Sequence, residues 1–180
     1  MLKGDKVLLK SIERRDIHVF YDIWCDEEVR KYDASSLLLP SKDFLLENFS
    51  KFVSGSKKYL SIINEKDVLI GYITYEESGD LTGTYTFGIT IGKNFWGRGY
   101  GTDAIKTLLK YLFLSKAAHR AELEVVEFNE RAIKCYKNCG FKEEGRKRKR
   151  YFSAGVYSDV IIMGIIKEEY FELQGIKISI

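Results

Sequence analysis

The stretch WGRGYGTDA, Trp96 to Ala104, decides how this sequence is read. Its glycines fall at 97, 99 and 101, where a backbone without Cβ atoms can take unusual dihedrals and come close to a ligand. Behind it Ala104, Ile105, Leu108, Leu109 and Leu112 recur at three- and four-residue steps, which predicts an amphipathic helix from Tyr100 to about Lys116. Ahead of it Thr84 to Gly92 predicts a strand. A bare turn that opens a helix presents unpaired amides and the positive end of the helix dipole, a natural seat for phosphate. Arg98 adds a mobile positive charge and Thr102 a hydroxyl.

Other glycine-rich loops fit less well. A lysine-bearing phosphate loop needs Lys and then Ser or Thr after its last glycine, and Gly101 is followed by Thr102 and Asp103. A dinucleotide fingerprint spaces its glycines differently and opens a long parallel half-domain. A plain turn with no ligand is the remaining alternative, since glycine is common in turns.

Working outward, Lys6 to Ile12 predicts a first strand and Glu13 to Cys25 a helix with Ile17, Phe20, Tyr21 and Trp24 on one side. Ser41 caps a second helix carrying Phe44, Leu45, Phe49 and Phe52, which Gly55 ends. Strands follow at Tyr59 to Asn64, Val68 to Glu76 and Thr84 to Gly92, joined by turns containing EKD and SGDLTG. Beyond the long helix come a strand from Arg120 to Phe128, a helix from Asn129 to Cys139 closed by Gly140, and a hairpin of Phe141 to Phe152 and Val156 to Ile166 turning at SAG. No repeat or linker interrupts the chain, so residues 1–180 are expected to form one domain.

Composition sets the bounds. A chain of 180 residues with 45% hydrophobic and 31% charged residues can bury a core without disulfides or metals. No apolar run reaches the roughly 18 residues of a membrane span, and the opening MLKGDKVLLK has no signal-peptide core. The sequence is therefore read as cytoplasmic, without a membrane partner. Cys25, Cys135 and Cys139 are odd in number and read as buried apolar cysteines rather than a disulfide framework. His18 and His119 are too few to complete a zinc cluster with them, so no metal is expected. A net charge of +3 suits an anionic ligand but is mild for nucleic acid.

A second segment narrows the reading: NERAIKCYKNCGF, Asn129 to Phe141. Asn129, Ala132, Tyr136, Gly140 and Phe141, taken with the glycine loop, resemble the two signature motifs of the GNAT superfamily of N-acetyltransferases. The likeness runs from the first strand to the closing GVYSDVIIMGI, and Trp96-Gly97 with EEGRKRKRYFSAGVYSDV resembles the branch of ribosomal-protein N-terminal acetyltransferases. Trp96 stands where an arginine or glutamine is usual, so a backbone contact is expected there.

The resemblance implies an α/β fold: a mixed, mostly antiparallel sheet of roughly seven strands, splayed in its middle, with helices on both faces. It implies acetyl-CoA as co-substrate, with its pyrophosphate on the amides of Arg98, Gly99, Tyr100, Gly101 and Thr102, and Asp103 counted among the cofactor-binding residues. Ile89, Thr90 and Ile91 would bond the pantetheine arm as if it were another strand, since a splayed strand leaves amides unpaired. Asn129 would bond the pantetheine from across the splay, Lys137 would approach the adenosine phosphates, and Tyr136 would protonate the leaving sulfur. The acceptor implied is a primary amine, first a protein N-terminus, with a small-molecule amine (a polyamine, an amino acid or an antibiotic) as the alternative. A catalytically inert CoA-binding module is the alternative outside enzymes, and a homodimer through a strand edge or the C-terminal tail is one assembly the sequence allows.

The general base is not evident. In the branch resembled, a glutamate often sits two residues before the glycine of the strand, and here that position holds Thr86, ahead of Gly88. Glu76, Glu77, Glu122 and Glu124 are the nearby carboxylates, though exposed strand-end carboxylates are usually just solvated. The run RKRKR, Arg146 to Arg150, would alternate between faces in a hairpin strand, which argues against one continuous nucleic-acid patch.

Overall fold

A computed structural model describes residues 1–32, 39–79, 83–153 and 155–176. The middle of the SGDLTG turn and Ala154 of the SAG turn lie outside the described residues. Eight strands form one sheet: β1 (Leu2–Lys3), β2 (Val7–Ser11), β3 (Lys58–Asn64), β4 (Leu69–Glu77), β5 (Thr84–Ile91), β6 (Arg120–Val126), β7 (Lys142–Ser153) and β8 (Val156–Ile166), in the order β1-β2-β3-β4-β5-β6-β8-β7. Every neighbouring pair is antiparallel except β5 and β6.

That parallel pair positions the site. It is hydrogen-bonded only at Thr84↔Arg120, Tyr85↔Ala121 and Thr86↔Glu122. Both strands continue past this point, β5 to Ile91 and β6 to Val126, yet neither pairs with the other again. The sheet therefore opens into a V with its apex at Thr86, and the β6-facing edge of Phe87 to Ile91 has no strand beside it.

Helix α5 (Tyr100–Ser115) crosses between β5 and β6, as a parallel connection requires. Its periodicity is reproduced in the packing: Ala104, Ile105, Leu108, Leu109 and Leu112 are all buried. Burying each of these leucines contributes roughly 1.5–3 kcal/mol. On the same face lie α6 (Glu130–Asn138) and α7 (Lys167–Leu173), the latter stacking Tyr170 on Phe113 of α5 at 4.7 Å. The other face is covered by α1 (Asp16–Cys25), with the short α2 (Glu27–Arg30) after it, and by α3 (Lys42–Glu47) and α4 (Phe49–Ser54). Strand β4 shows the alternation: Ile73 and Tyr75 join the α5 core, while Tyr72 packs beside Phe20 and Trp24 of α1.

Three differences from the sequence reading have local causes. The helix expected from Ser41 to Gly55 breaks at Asn48, whose side chain donates to the Phe44 carbonyl at 2.8 Å and whose ψ is 16°. Asparagine offers the backbone a non-helical partner, and here it wins. Ser41 does cap α3, accepting from the Phe44 amide at 3.2 Å, but Phe44 itself is exposed and Leu45 takes the buried position. The basic run keeps a regular register only at Arg146 and Lys147, since β7 then shifts register before Tyr151 and Lys149 has a φ of 49°. Arg146 pairs with Glu143 and Glu127, and Lys147 with Glu124, so part of its charge is neutralised locally. Finally, only Cys139 is buried: Cys135 is half-buried and Cys25 is exposed at the end of α1.

Candidate active site

Gly97 and Gly99 have φ values of +73° and +83°, a region that a side chain makes costly. Their alternation with Arg98 turns the chain sharply from a single 3-10 turn (Lys93–Phe95) into α5. Gly99 is the N-cap, and no side chain caps this helix. The first helical bond runs from the Asp103 amide to the Gly99 carbonyl at 3.0 Å. Among the described residues the amides of Gly97 to Thr102 therefore have no acceptor. Bare amides in a curled loop at a helix N-terminus form an anion cradle.

The Asp103 carboxylate is engaged away from the loop amides. It accepts from the amides of Asp5, Lys6 and Val7 at 3.1, 2.8 and 2.9 Å, which ties the β1–β2 turn to α5. This brings in a cation that sequence reasoning missed. The Lys6 ammonium donates to the Arg98 carbonyl at 3.1 Å and lies 3.2 Å from where a Gly99 Cβ would sit. No local signal could have placed it, since Lys6 and Arg98 are far apart in the chain. Arg98 is exposed, with its guanidinium over the Phe95 ring.

Thr102 turns its hydroxyl toward Cys135, 3.3 Å away, so what it offers the cradle is its amide. Cys135 in turn sits 3.6 Å from the Cβ position of Gly101. Its thiol is pulled below its ordinary value by the neighbouring Cys139 thiol and then by the Thr102 hydroxyl. Alkylation by iodoacetamide is therefore expected to set in at a lower pH than the ~8.5 of a free cysteine would allow. Peptide mapping against pH checks this, and a midpoint at or above ~8.5 would contradict it. The adduct, wedged against Gly101, should weaken anion binding at the loop.

The open edge of β5 carries Ile89, Thr90 and Ile91, all half-buried. The Trp96 indole N–H donates to the Ile91 carbonyl at 2.6 Å, so the tryptophan that replaces the usual polar residue braces the strand end. The guanidinium of Arg131, from the first turn of α6, lies 3.4 Å above the Trp96 ring and near Tyr32, linking the ends of the two diverging strands. The Thr90 hydroxyl donates to Tyr72, which also accepts from Trp24.

Across the V, Asn129 caps α6 by accepting from the Ala132 amide at 3.2 Å. It is 8% exposed, and its side-chain amide N–H groups are left to donate elsewhere. Tyr136 is 7% exposed and lies edge-on to Phe87 and Phe141, with ring centroids 6.2 and 6.1 Å away. Phe87 is the first β5 residue beyond the last β5–β6 pair, so Tyr136 stands at the apex of the V on the α5 side. No hydrogen bond to its hydroxyl occurs among the described residues, and none of their sealed side-chain polar atoms lacks a partner, which leaves the hydroxyl in touch with solvent. Burial pushes this phenol well above its ordinary value, so it stays protonated throughout the neutral range. Lys137 follows on the exposed side of α6. Gly140, with a φ of +96°, ends the helix where a Cβ would strike Leu173 at 2.3 Å, which accounts for the glycine of the second motif.

On the opposite face, Thr86 and Gly88 are exposed in the middle of the sheet. The register places Glu76 opposite Thr86 on β4 and Glu122 opposite it on β6. Glu76, Thr86 and Glu122 therefore form a lateral row on one face, roughly 5 Å from neighbour to neighbour, with Glu124 one step further along β6.

The profile of the acetyltransferase (GNAT) domain matches residues 6–142, which include the cradle, the V and Tyr136. The chain belongs to the GNAT acetyltransferase family. It is an acetyl-CoA-dependent N-acetyltransferase with the mixed, splayed sheet of that family. It is 27% identical over 179 residues to the uncharacterized N-acetyltransferase p20 of Bacillus licheniformis, covering 94% of this chain and 97% of that one. The crystal structure of spermidine N-acetyltransferase from Vibrio cholerae in complex with CoA and spermine is similar at a TM-score of 0.84 and 26% identity, covering 92% and 98% of the two chains. YdaF of Bacillus subtilis (strain 168), whose name assigns it provisionally to ribosomal N-acetylation, is 26% identical over 102 residues, 57% of this chain and 56% of that one. No helix among the described residues is long and apolar enough to cross a membrane.

Proposed function

We propose that residues 1–180 act as one acetyltransferase domain that moves an acetyl group from acetyl-CoA to the primary amine of a small cationic molecule of the polyamine kind. The observation that carries this reading is the row at the apex of the V, where exposed Thr86 is flanked by carboxylates on both neighbouring strands. Glu122 is matched by Arg120, but Glu76 has no cationic partner among the described residues, which favours an acceptor that brings an ammonium group of its own. The likeness to the spermidine enzyme of Vibrio cholerae supports the same class. The ribosomal reading of the sequence finds support in the shorter match to YdaF, and a peptide N-terminus is the second acceptor to test.

Acetyl-CoA supplies the acyl carbon and a thiolate leaving group. The amides of Arg98 to Thr102 hold its pyrophosphate, with Lys6 and Arg98 adding charge, while Lys137 serves the adenosine phosphates. The edge from Ile89 to Ile91 and the Asn129 amide bind the pantetheine, and Tyr136 gives its proton to the departing sulfur. The acid then stands on the α5 side of the sheet, and the acceptor enters from the carboxylate side.

Thiol release from acetyl-CoA, followed across polyamines, amino acids, aminoglycosides and peptides beginning with Ala or Ser, tests this. Release is expected to be fastest with polyamines. Release with peptides alone would replace the acceptor class. CoA binding detected by calorimetry without release for any amine would favour an inert module.

A further inference from the structure

A primary alkylammonium has a pKa of about 10 and cannot attack a thioester until it loses a proton. In this chain the strand position where a glutamate would take that proton holds Thr86, so the base must come from elsewhere.

Four carboxylates lie near the apex, and their partners separate them. Glu77 points to the α5 face, where it accepts from the Gly83 amide at 3.0 Å and the Tyr85 hydroxyl at 3.3 Å. Glu122 accepts from the Arg120 guanidinium at 2.9 Å, and Arg120 also grips Glu144. Glu124 is paired with Lys147. A carboxylate whose oxygen already holds a guanidinium or an ammonium has that position taken when a substrate ammonium arrives. Glu76 is different: its one recorded side-chain partner is the neutral Ser56 hydroxyl, which donates to Oε1. The other carboxylate oxygen has no partner among the described residues, and the side chain is half-buried next to exposed Thr86.

We propose that Glu76 is the catalytic base, displaced by one strand from the position that Thr86 occupies. This rests on the amine acetyltransferase reading above. Glu76 takes one proton from the ammonium group: an N–H bond breaks and an O–H bond forms on the carboxylate. The freed lone pair makes the new N–C bond as the C–S bond breaks. Tyr136, across the apex, protonates the sulfur, and its phenolate recovers the second proton of the nitrogen. Glu76 returns its proton to water, so the reaction releases one proton, an amide and a free thiol. The base and the acid thus work from opposite faces of one opened sheet.

Glu76→Gln, assayed with the best amine of the panel, is expected to lower kcat by about 100- to 10,000-fold with the KM for acetyl-CoA changed less than about twofold. Adding Thr86→Glu to that variant should restore at least about tenfold of the loss, since the carboxylate then returns to the same row from the next strand. Glu77→Gln, on the other face, should leave kcat within about threefold. A kcat in Glu76→Gln within threefold of the parent, a larger loss in Glu122→Gln, or no recovery in the double variant would overturn the assignment. Absence of turnover in the parent with every amine would instead defeat the functional reading, and the base with it.

Discussion

Tyr136→Phe is expected to lower turnover by about 100- to 10,000-fold and to leave CoA affinity within about twofold. The phenol sits between Phe87 and Phe141 at the point where β5 and β6 part, and it is nearly enclosed. Losing one oxygen from that setting removes no packing surface, so the fold and the cradle should be unaffected. What disappears is the proton that the departing sulfur needs. Burial, reinforced by the thiols of Cys135 and Cys139, holds that proton on the phenol at neutral pH. Transfer to the sulfur is completed because the phenolate at once recovers the second proton of the nitrogen. Single-turnover acetyl transfer alongside calorimetric CoA titration separates the two quantities. Unchanged transfer would show that Tyr136 is a packing residue.

Gly99→Val is expected to weaken CoA binding by about 10- to 100-fold, from a backbone cost of about 1–3 kcal/mol. At a φ of +83° a β-branched residue must either carry that strain or rotate the peptide planes on both sides of it. Rotation would turn aside the amides of Tyr100 and Gly101, and the new side chain would also displace the Lys6 ammonium 3.2 Å away. Because Leu108, Leu109 and Leu112 lie further along α5 and stay packed, the thermal midpoint should fall far less than the affinity. Calorimetry paired with a melting curve decides, and an unchanged CoA affinity would remove the loop from the binding site.

Much of this architecture is written in local patterns. The apolar period of α5, the serine before α3 and the glycine that ends α6 each act within a few residues, and each appears as read. Short elements were missed where the signal is weak: β1 is two residues long, and α2 is held by the Asp26 side chain accepting from the Glu28 and Val29 amides. What the sequence left out around the site is non-local. Asp103 looked like part of the phosphate loop, and only the fold shows its carboxylate pinning the β1–β2 turn and delivering Lys6. The glutamates could be found near their strand ends, but not sorted, because partners such as Arg120 and Ser56 arrive from other segments.

The lateral alignment of Glu76, Thr86 and Glu122 also bears on how such chains are compared with one another. Adjacent strands present interchangeable addresses to the same ligand, so an acidic group can migrate sideways along the hydrogen-bond ladder while the backbone stays as it was. A column-by-column alignment would score Thr86 as a lost function and this chain as a degenerate copy. Judged by the patch of space it serves, the charge has only changed its line in the sequence.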